Sequence, residues 1–197
     1  MSKKNSSASL KVKFKEHKEL AKIYLKFKGK VKNIYKDRIA IAISGGPDSL
    51  ALAALAKNYG LEKKTRFYYV LVDHRIRKNS YKEALKVKKI LKRFKIKLDI
   101  LTNYLKIEKN VQSTARTIRY KLLSKFCEKK NIATILTAHN LEDQVETFFI
   151  RLSRGSGLSG LSAMQSSIKI QKYLTLYRPL LEIKKRDLTK ISKKVFG

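Results

Sequence analysis

The sequence predicts an α/β fold: a doubly wound, mostly parallel sheet with helices on both faces, preceded by an amphipathic helix. Three observations carry that expectation. Short apolar runs rich in β-branched residues alternate with longer segments of helical periodicity, the order that builds a parallel sheet through crossover helices. The polar residues able to do chemistry recur just after the strand-like runs, at what would be the carboxyl edge of one sheet. The 197 residues are 43% apolar and 9% aromatic, enough for one full core and a short appendage, and outside the range of a disordered chain.

Glu16 to Tyr35 places Leu20, Ile23, Tyr24, Phe27, Val31 and Ile34 three or four apart among lysines, which predicts a helix with one buried stripe. Arg38 to Ile43 reads as a buried strand, closed by Ser44-Gly45-Gly46-Pro47. Leu50 to Tyr59 reads as a helix with Asp48 or Ser49 as its N-cap and Gly60 as its C-terminal stop. The alternation continues with strand Phe67 to Val72, helix Ser80 to Phe94, strand Lys97 to Leu101, helix Val111 to Lys129, strand Ala133 to Ala138 and helix Leu141 to Arg154. A Ser/Gly loop over Arg154 to Gly160, a strand-like stretch from Ile168 to Leu176 and a terminal helix over Lys184 to Val195 complete the reading.

The charge is extreme. Lys+Arg minus Asp+Glu is 47 − 15 = +32, a field that draws polyanions and makes nucleic acid the first partner to consider. Lysines (36) far outnumber arginines (11) and are spread along the whole chain, so a bias of genome composition explains the excess as well as selection for binding does. Cys127 is the only cysteine, which excludes an intrachain disulfide and a multi-cysteine zinc or iron–sulfur site and suits a reducing cytoplasm. No signal-type apolar segment follows Met1 to Ser9, and no run of about 18 apolar residues occurs, so a soluble cytoplasmic protein is expected, with no membrane partner.

Three constellations carry chemistry. In Ser44-Gly45-Gly46-Pro47-Asp48-Ser49, two glycines let the backbone turn tightly between strand and helix, so that amides and the helix N-terminus face an anion such as a phosphate. The same residues also make an ordinary turn. No Gly-Lys-Ser/Thr follows, which disfavours the Walker type of NTPase. Asp48 beside such a cradle suits a hydrated Mg2+. In His139-Asn140-Leu141-Glu142-Asp143-Gln144-Val145-Glu146-Thr147, Asp143 and Glu146 share a helical face while Leu141, Val145 and Phe148 supply the buried side. Such a pair holds a metal or an ammonium group, or merely complements the helix dipole. Three of only fifteen acids fall between Glu142 and Glu146, which favours a site. Arg116 and Arg119, one helical step apart, form a phosphate clamp or a solvated helix face. Asp73 with His74, and His139, follow strand ends, where a structural role is as common as a catalytic one.

Together, Ser44 to Ser49, Val72-Asp73-His74, Ala115-Arg116-x-x-Arg119-Tyr120, His139-x3-Asp143-Gln144-x-Glu146-Thr147 and Arg154-Gly155-Ser156-Gly157-Leu158-x-Gly160-Leu161 resemble, in order, the catalytic domain of the tRNA(Ile)-lysidine synthetase family. The likeness runs from Arg38 to Leu181 and includes Arg178-Pro179-Leu180-Leu181. It implies an N-type ATP pyrophosphatase, a PP-loop fold of the adenine nucleotide alpha hydrolase type. It further implies a basic N-terminal extension over 1–37, a catalytic domain over 38–181 and a short segment over 182–197, with the family's C-terminal regions missing. The implied reaction adenylates C2 of the wobble cytidine in an isoleucine tRNA with a CAU anticodon, and free lysine then displaces AMP to give lysidine.

By that resemblance Ser44, Gly45, Gly46, Pro47, Asp48 and Ser49 hold the ATP phosphates, Asp48 and Asp143 serve Mg2+, and Asp73 with His74 borders the adenosine. Asp143, Glu146 and Arg116 bind substrate, while Asp48, Arg119, His139 and Asp143 act in catalysis. The chain departs from the family at Arg75, where glycine is common, and at Asn140 and Glu142, which replace a usual His and Asp. The readings left open are another PP-loop tRNA-modifying or amide-forming synthetase, and a basic tRNA-binding remnant without full activity. Oligomeric state is also open, a homodimer included.

Overall fold

In a computed structural model, residues 14, 16–34, 38–63, 65–155 and 164–197 are described. Their elements, in chain order, are α1 (Lys18–Val31), β1 (Arg38–Ile43), α2 (Pro47–Lys63), β2 (Arg66–Asp73), α3 (Ser80–Lys92), β3 (Leu98–Thr102), α4 (Val111–Lys129), β4 (Thr134–Leu136), α5 (Leu141–Ser153), β5 (Ser167–Gln171), β6 (Leu174–Tyr177) and α6 (Lys185–Phe196). The six strands form one sheet in the order β3-β2-β1-β4-β6-β5, parallel except for β5. The chain thus winds outward from β1 to β3, then returns to the other side of β1 with β4. That reversal opens a crevice at the carboxyl ends of β1 and β4.

Alternation along β1 sorts its side chains to two cores. Ile39, Ile41 and Ile43 face α1, α2, α3 and α6, and Phe27, Leu52, Leu55, Leu91, Leu188 and Ile191 in that layer are fully buried. Ala40 faces the opposite layer, where Leu123 and Cys127 of α4 pack with Val70, Ile132, Ile135 and Leu176. Alanine in β1 gives α4 room to approach, whereas the isoleucines fill the thicker layer. Burial of the α1 stripe over Leu20, Ile23, Tyr24, Phe27 and Val31 follows its predicted spacing. The end of that predicted helix at Tyr35, the Met1–Ser9 start and most of the Arg154–Gly160 loop lie outside the described residues. No helix among the described residues is long and apolar enough to cross a membrane.

Four local expectations need correction. Helix α2 starts at Pro47, which suits a first-turn position with no N–H to satisfy, so neither Asp48 nor Ser49 precedes it as N-cap. It also runs through Gly60 to Lys63. A Cβ at Gly60 would lie 2.9 Å from the Thr65 carbonyl and 3.1 Å from the Phe67 ring, so this glycine admits the returning chain rather than ending the helix. The Ile168–Leu176 stretch is two antiparallel strands turning at Lys172 and Tyr173. Finally, α5 buries none of its residues: Val145, Phe148, Phe149, Ile150 and Leu152 are all more than a third exposed. Periodicity gave that helix an apolar face, but the main core does not extend to it.

Candidate active site

The crevice is a cavity of about 820 Å3 walled by the turn after β1, the end of β2, α3, α4 and the segment after β4. The turn is shaped by its glycines. Gly45 has φ +90°, and a Cβ there would lie 2.9 Å from Val87 Cγ2 of α3, so both backbone and packing demand glycine. The Gly45 N–H does not face an anion as expected. It donates to Ser49 Oγ at 3.1 Å, and that hydroxyl donates to the Gly46 carbonyl at 2.9 Å, closing the loop on itself. The first turn of α2 supplies donors for an anion. The N–H groups of Asp48 and Ser49 precede the first helical bond, from Leu50 N–H to the Gly46 carbonyl at 3.1 Å. They carry the positive end of the helix dipole.

Asp48 and Asp143 meet across the crevice through Asn140. The Asn140 side chain is fully buried; its Nδ2 donates to Asp48 Oδ2 at 3.1 Å and its Oδ1 accepts from the Asp143 N–H at 3.1 Å. The Asn140 N–H in turn donates to Asp143 Oδ2 at 2.9 Å, a reciprocal capping box at the start of α5. One oxygen of each acid is therefore fixed. The other oxygen of Asp48, Oδ1, is buried without a partner. Burial raises the Asp48 carboxyl above its ordinary range, opposed by the charge of Lys185, and the nearby Asp143 raises it further. An orphaned carboxylate oxygen beside a second carboxylate is the hard-oxygen donor set that Mg2+ takes, so these residues fit the expected cation. No cluster of three or more metal-ligating side chains occurs among the described residues, so its other ligands would be phosphate and water.

Cations and histidines line the remaining walls. Arg116 and Arg119 of α4 are exposed and border the cavity, with the Arg116 guanidinium 5.1 Å from the Tyr120 ring centre. His139 Nδ1 lies 2.9 Å from Thr137 Oγ1, which leaves its other nitrogen for the cavity. Burial lowers the His139 pKa, reinforced by Arg178, Arg116 and Arg119 against the pull of Asp143. Both ring nitrogens of His74 are buried without partners. Burial, then the charge of Arg119, lowers its pKa against the pull of Asp73. Both imidazoles are thus held toward the neutral form, able to accept or relay a proton.

The structure gathers Ser44, Gly45, Gly46, Asp48, Ser49, Asp73, His74, Arg116, Arg119, His139 and Asp143 around one space. It does not bring in Pro47, which is exposed at the loop's outer side, or Glu146, which is exposed one turn beyond Asp143. Sequence reasoning missed the bridging part of Asn140. It also gave no part to Arg178, 8% exposed, which donates through Nη1 to the Gln165 carbonyl at 2.7 Å and keeps a buried, unpartnered Nε. Asn140 directly after His139, in the N-cap position before the predicted helix, was the available signal. For Arg178 the signals were its place in the Arg178-Pro179-Leu180-Leu181 segment of the family likeness and an arginine beside apolar residues. Glu142, another departure from the family pattern, accepts from the Lys185 N–H at 2.8 Å and so caps α6.

Comparison with known proteins agrees with this geometry. Among curated relatives, the tRNA(Ile)-lysidine synthase of Wolbachia pipientis wMel is 38% identical over 162 residues, 81% of this chain and 37% of the relative. Those of Orientia tsutsugamushi (strain Boryong) and Zymomonas mobilis subsp. mobilis are 40% and 38% identical, covering 78% and 85% of this chain and 34% and 51% of the relatives. The chain therefore spans about a third to a half of the length of these relatives. Among solved structures, a U34-tRNA thiolase from Methanococcus maripaludis superposes with a TM-score of 0.75 at 19% identity, over 90% of this chain and 64% of that one. The FMN adenylyltransferase of Candida glabrata in complex with ATP gives 0.57 at 12% identity, over 94% and 61%. These two likenesses concern the fold. A family model described as the PP-loop domain matches residues 18–195, nearly the whole sequence, and with the strand-turn-helix crevice in place the chain belongs to the PP-loop family.

Proposed function

We propose that this chain is a tRNA(Ile)-lysidine synthetase: it adenylates C2 of the wobble cytidine in an isoleucine tRNA with a CAU anticodon and transfers lysine to that carbon. The observation that carries the reading is the Asp48–Asn140–Asp143 bridge, with the Asp48 Oδ1 left unpartnered. A protein of net charge +32 that only bound RNA would gain nothing from carboxylates held inward. Lysidine synthase relatives at 34–40% identity support the choice of reaction within the family.

In the first step the cytidine C2 oxygen attacks the α-phosphorus of ATP; the new O–P bond forms as the bond to pyrophosphate breaks. The first-turn amides of α2 hold phosphate oxygens, while Arg116 and Arg119 offset the charge that gathers on them. Asp48 and Asp143 would hold Mg2+, which when bound would neutralise charge on the departing pyrophosphate. Asp73 and His74, at the far wall, border the adenosine. In the second step the lysine amine attacks C2, the C2–O bond breaks and AMP leaves with the oxygen. Glu146, exposed outside the cavity, draws the ammonium to the mouth, and Asp143 inside takes the proton that must leave before nitrogen attacks. His139, neutral and tied to Thr137, orients the intermediate. The single cysteine disfavours the sulfur-transfer alternative: Cys127 is fully buried and its thiol is pushed up to about 12.

The test is nucleoside mass analysis of isoleucine tRNA incubated with ATP and lysine, alongside pyrophosphate release. Asp48→Ala should abolish pyrophosphate release, whereas Glu146→Ala should leave adenylate formation intact and block lysine transfer. No release by the parent protein, or equal loss of both steps in Glu146→Ala, overturns the reading.

A further inference from the structure

Among the large apolar side chains of the described residues, Tyr104 is the most exposed. Tyr104, just after β3, is 81% exposed, and its neighbour Leu105 is 72% exposed. The turn that presents them is built, not loose. Asn103 is 5% exposed; its N–H donates to the Asp73 carbonyl at 2.8 Å, its Nδ2 donates to the Leu105 carbonyl at 2.7 Å and its Oδ1 accepts from the Leu105 N–H at 3.1 Å. Asp73 also fixes the other half of the patch. Its Oδ1 accepts from the Arg75 N–H at 3.0 Å, holding Arg75 in the left-handed region at φ 53°, where a residue with a Cβ is strained. From that backbone the Arg75 guanidinium reaches to 5.6 Å from the Tyr104 ring centre. One buried aspartate thus ties both partners of a cation–aromatic pair to the end of β2.

We propose that Tyr104 and Arg75 form a stacking platform for an unpaired RNA base at the rim of the active-site cavity. The inference rests on the proposed tRNA substrate and assigns it a landing surface. Arginine against one side of the ring leaves the rest to solvent, and a ring so displayed offers a nucleobase a flat surface of its own kind. Charge selects the occupant. Arg77 and Lys78 closely follow Arg75 in the chain, and Lys106 and Lys109 closely follow Tyr104; Arg77 and Lys106 pair with Glu83 and Glu108, but the chain as a whole carries +32, which favours a polyanion bearing aromatic rings over an apolar protein segment. Position fits as well, because Asp73 anchors the platform while lining the cavity with His74. A base stacked on Tyr104 would hold a single-stranded loop beside the opening through which its neighbour must enter.

The experiment compares two RNAs of equal length and charge at one ionic strength, by fluorescence anisotropy with the full chain: a hairpin with an unpaired loop and a fully paired duplex. Tyr104→Ala should weaken hairpin binding about tenfold and leave duplex binding within about twofold, whereas Tyr104→Trp should bind the hairpin as the parent does. Because the side chain is exposed, thermal melting should stay unchanged, which separates lost stacking from lost folding. Equal hairpin binding by Tyr104→Ala and parent, a parallel loss for hairpin and duplex, or dissociation of a homodimer by Tyr104→Ala would each overturn the platform. Lysidine formation by the parent is read separately. Tyr104-dependent hairpin binding without lysidine supports the platform while the reaction reading fails, and lysidine formed with Tyr104-independent binding does the reverse.

Discussion

Asn140 is the residue on which the two acids depend. Its side-chain amide spans from α2 to the first turn of α5, donating to the Asp48 carboxylate and accepting from the Asp143 N–H, while its backbone N–H holds the Asp143 carboxylate. The result is that Asp48, which lines the cavity, has Oδ2 tethered and Oδ1 buried without a partner. Replacing Asn140 by Ala removes an N-cap and leaves a half-buried carboxylate oxygen and an amide unpaired. We expect Asn140→Ala to lose about 2–4 kcal/mol in urea denaturation. It should also need more Mg2+ for pyrophosphate release, because Asp48 would no longer be held in one orientation. A loss below about 1 kcal/mol with an unchanged Mg2+ requirement would mean that Asp48 is held by other groups.

At the level of elements, α1 and α5 look alike in sequence and behave differently. Both carry apolar residues at helical spacing. In α1 that stripe is sunk: Phe27 is 0% exposed and meets the Tyr59 ring edge-on, centres 6.3 Å apart. In α5, Phe149 is 59% exposed, and the helix is held at its first turn by the capping box and by Gln144, which pairs with the Met164 backbone. Phe27→Ala should therefore cost about 3–5 kcal/mol, and Phe149→Ser less than about 1, in paired chemical denaturation curves. Similar losses for the two would show that α5 is buried in solution. The contrast also marks what was legible beforehand. Strand and helix order could be read because β-branched runs and 3.6-residue periods are local properties, and the active-site edge followed from topology. The partner of an apolar face is a tertiary fact, so α5 was misjudged as buried. Gly60 was misread for a related reason: a helix-ending glycine and one that admits a neighbouring chain have the same sequence signature. The inward turn of the Gly45 amide onto Ser49 was equally out of reach, since a serine four residues on can cap, line a site or close a loop.

Across the whole molecule, lysine and arginine are absent from the two segments that carry the inward acids, and the cations of the site come from elsewhere, Arg116 and Arg119 of α4 among them. No lysine or arginine occurs between Arg38 and Lys57 or between Lys130 and Arg151, the two segments that supply Asp48, His139, Asn140 and Asp143. The fold must tolerate the mutual repulsion of 47 cations with only fifteen acids to offset them. This makes protonation of the histidines costly. Burial and the nearby arginines lower the pKa of His74 and His139, so the unfolded chain binds protons more readily than the folded one near pH 6.5. The sign follows: their contribution to stability is fully present above the unfolded value of 6.5 and is lost as pH falls through the lowered folded values. Asp48, raised by burial, works in the opposite sense at lower pH, where its protonation relieves a buried charge. Calorimetric Tm should therefore fall between pH 7.5 and 5.5. His74→Gln, which removes the imidazole whose two nitrogens lack partners, should flatten that fall while changing Tm little at pH 7.5. A slope unchanged by His74→Gln would place the acid sensitivity in the general repulsion of the basic surface instead.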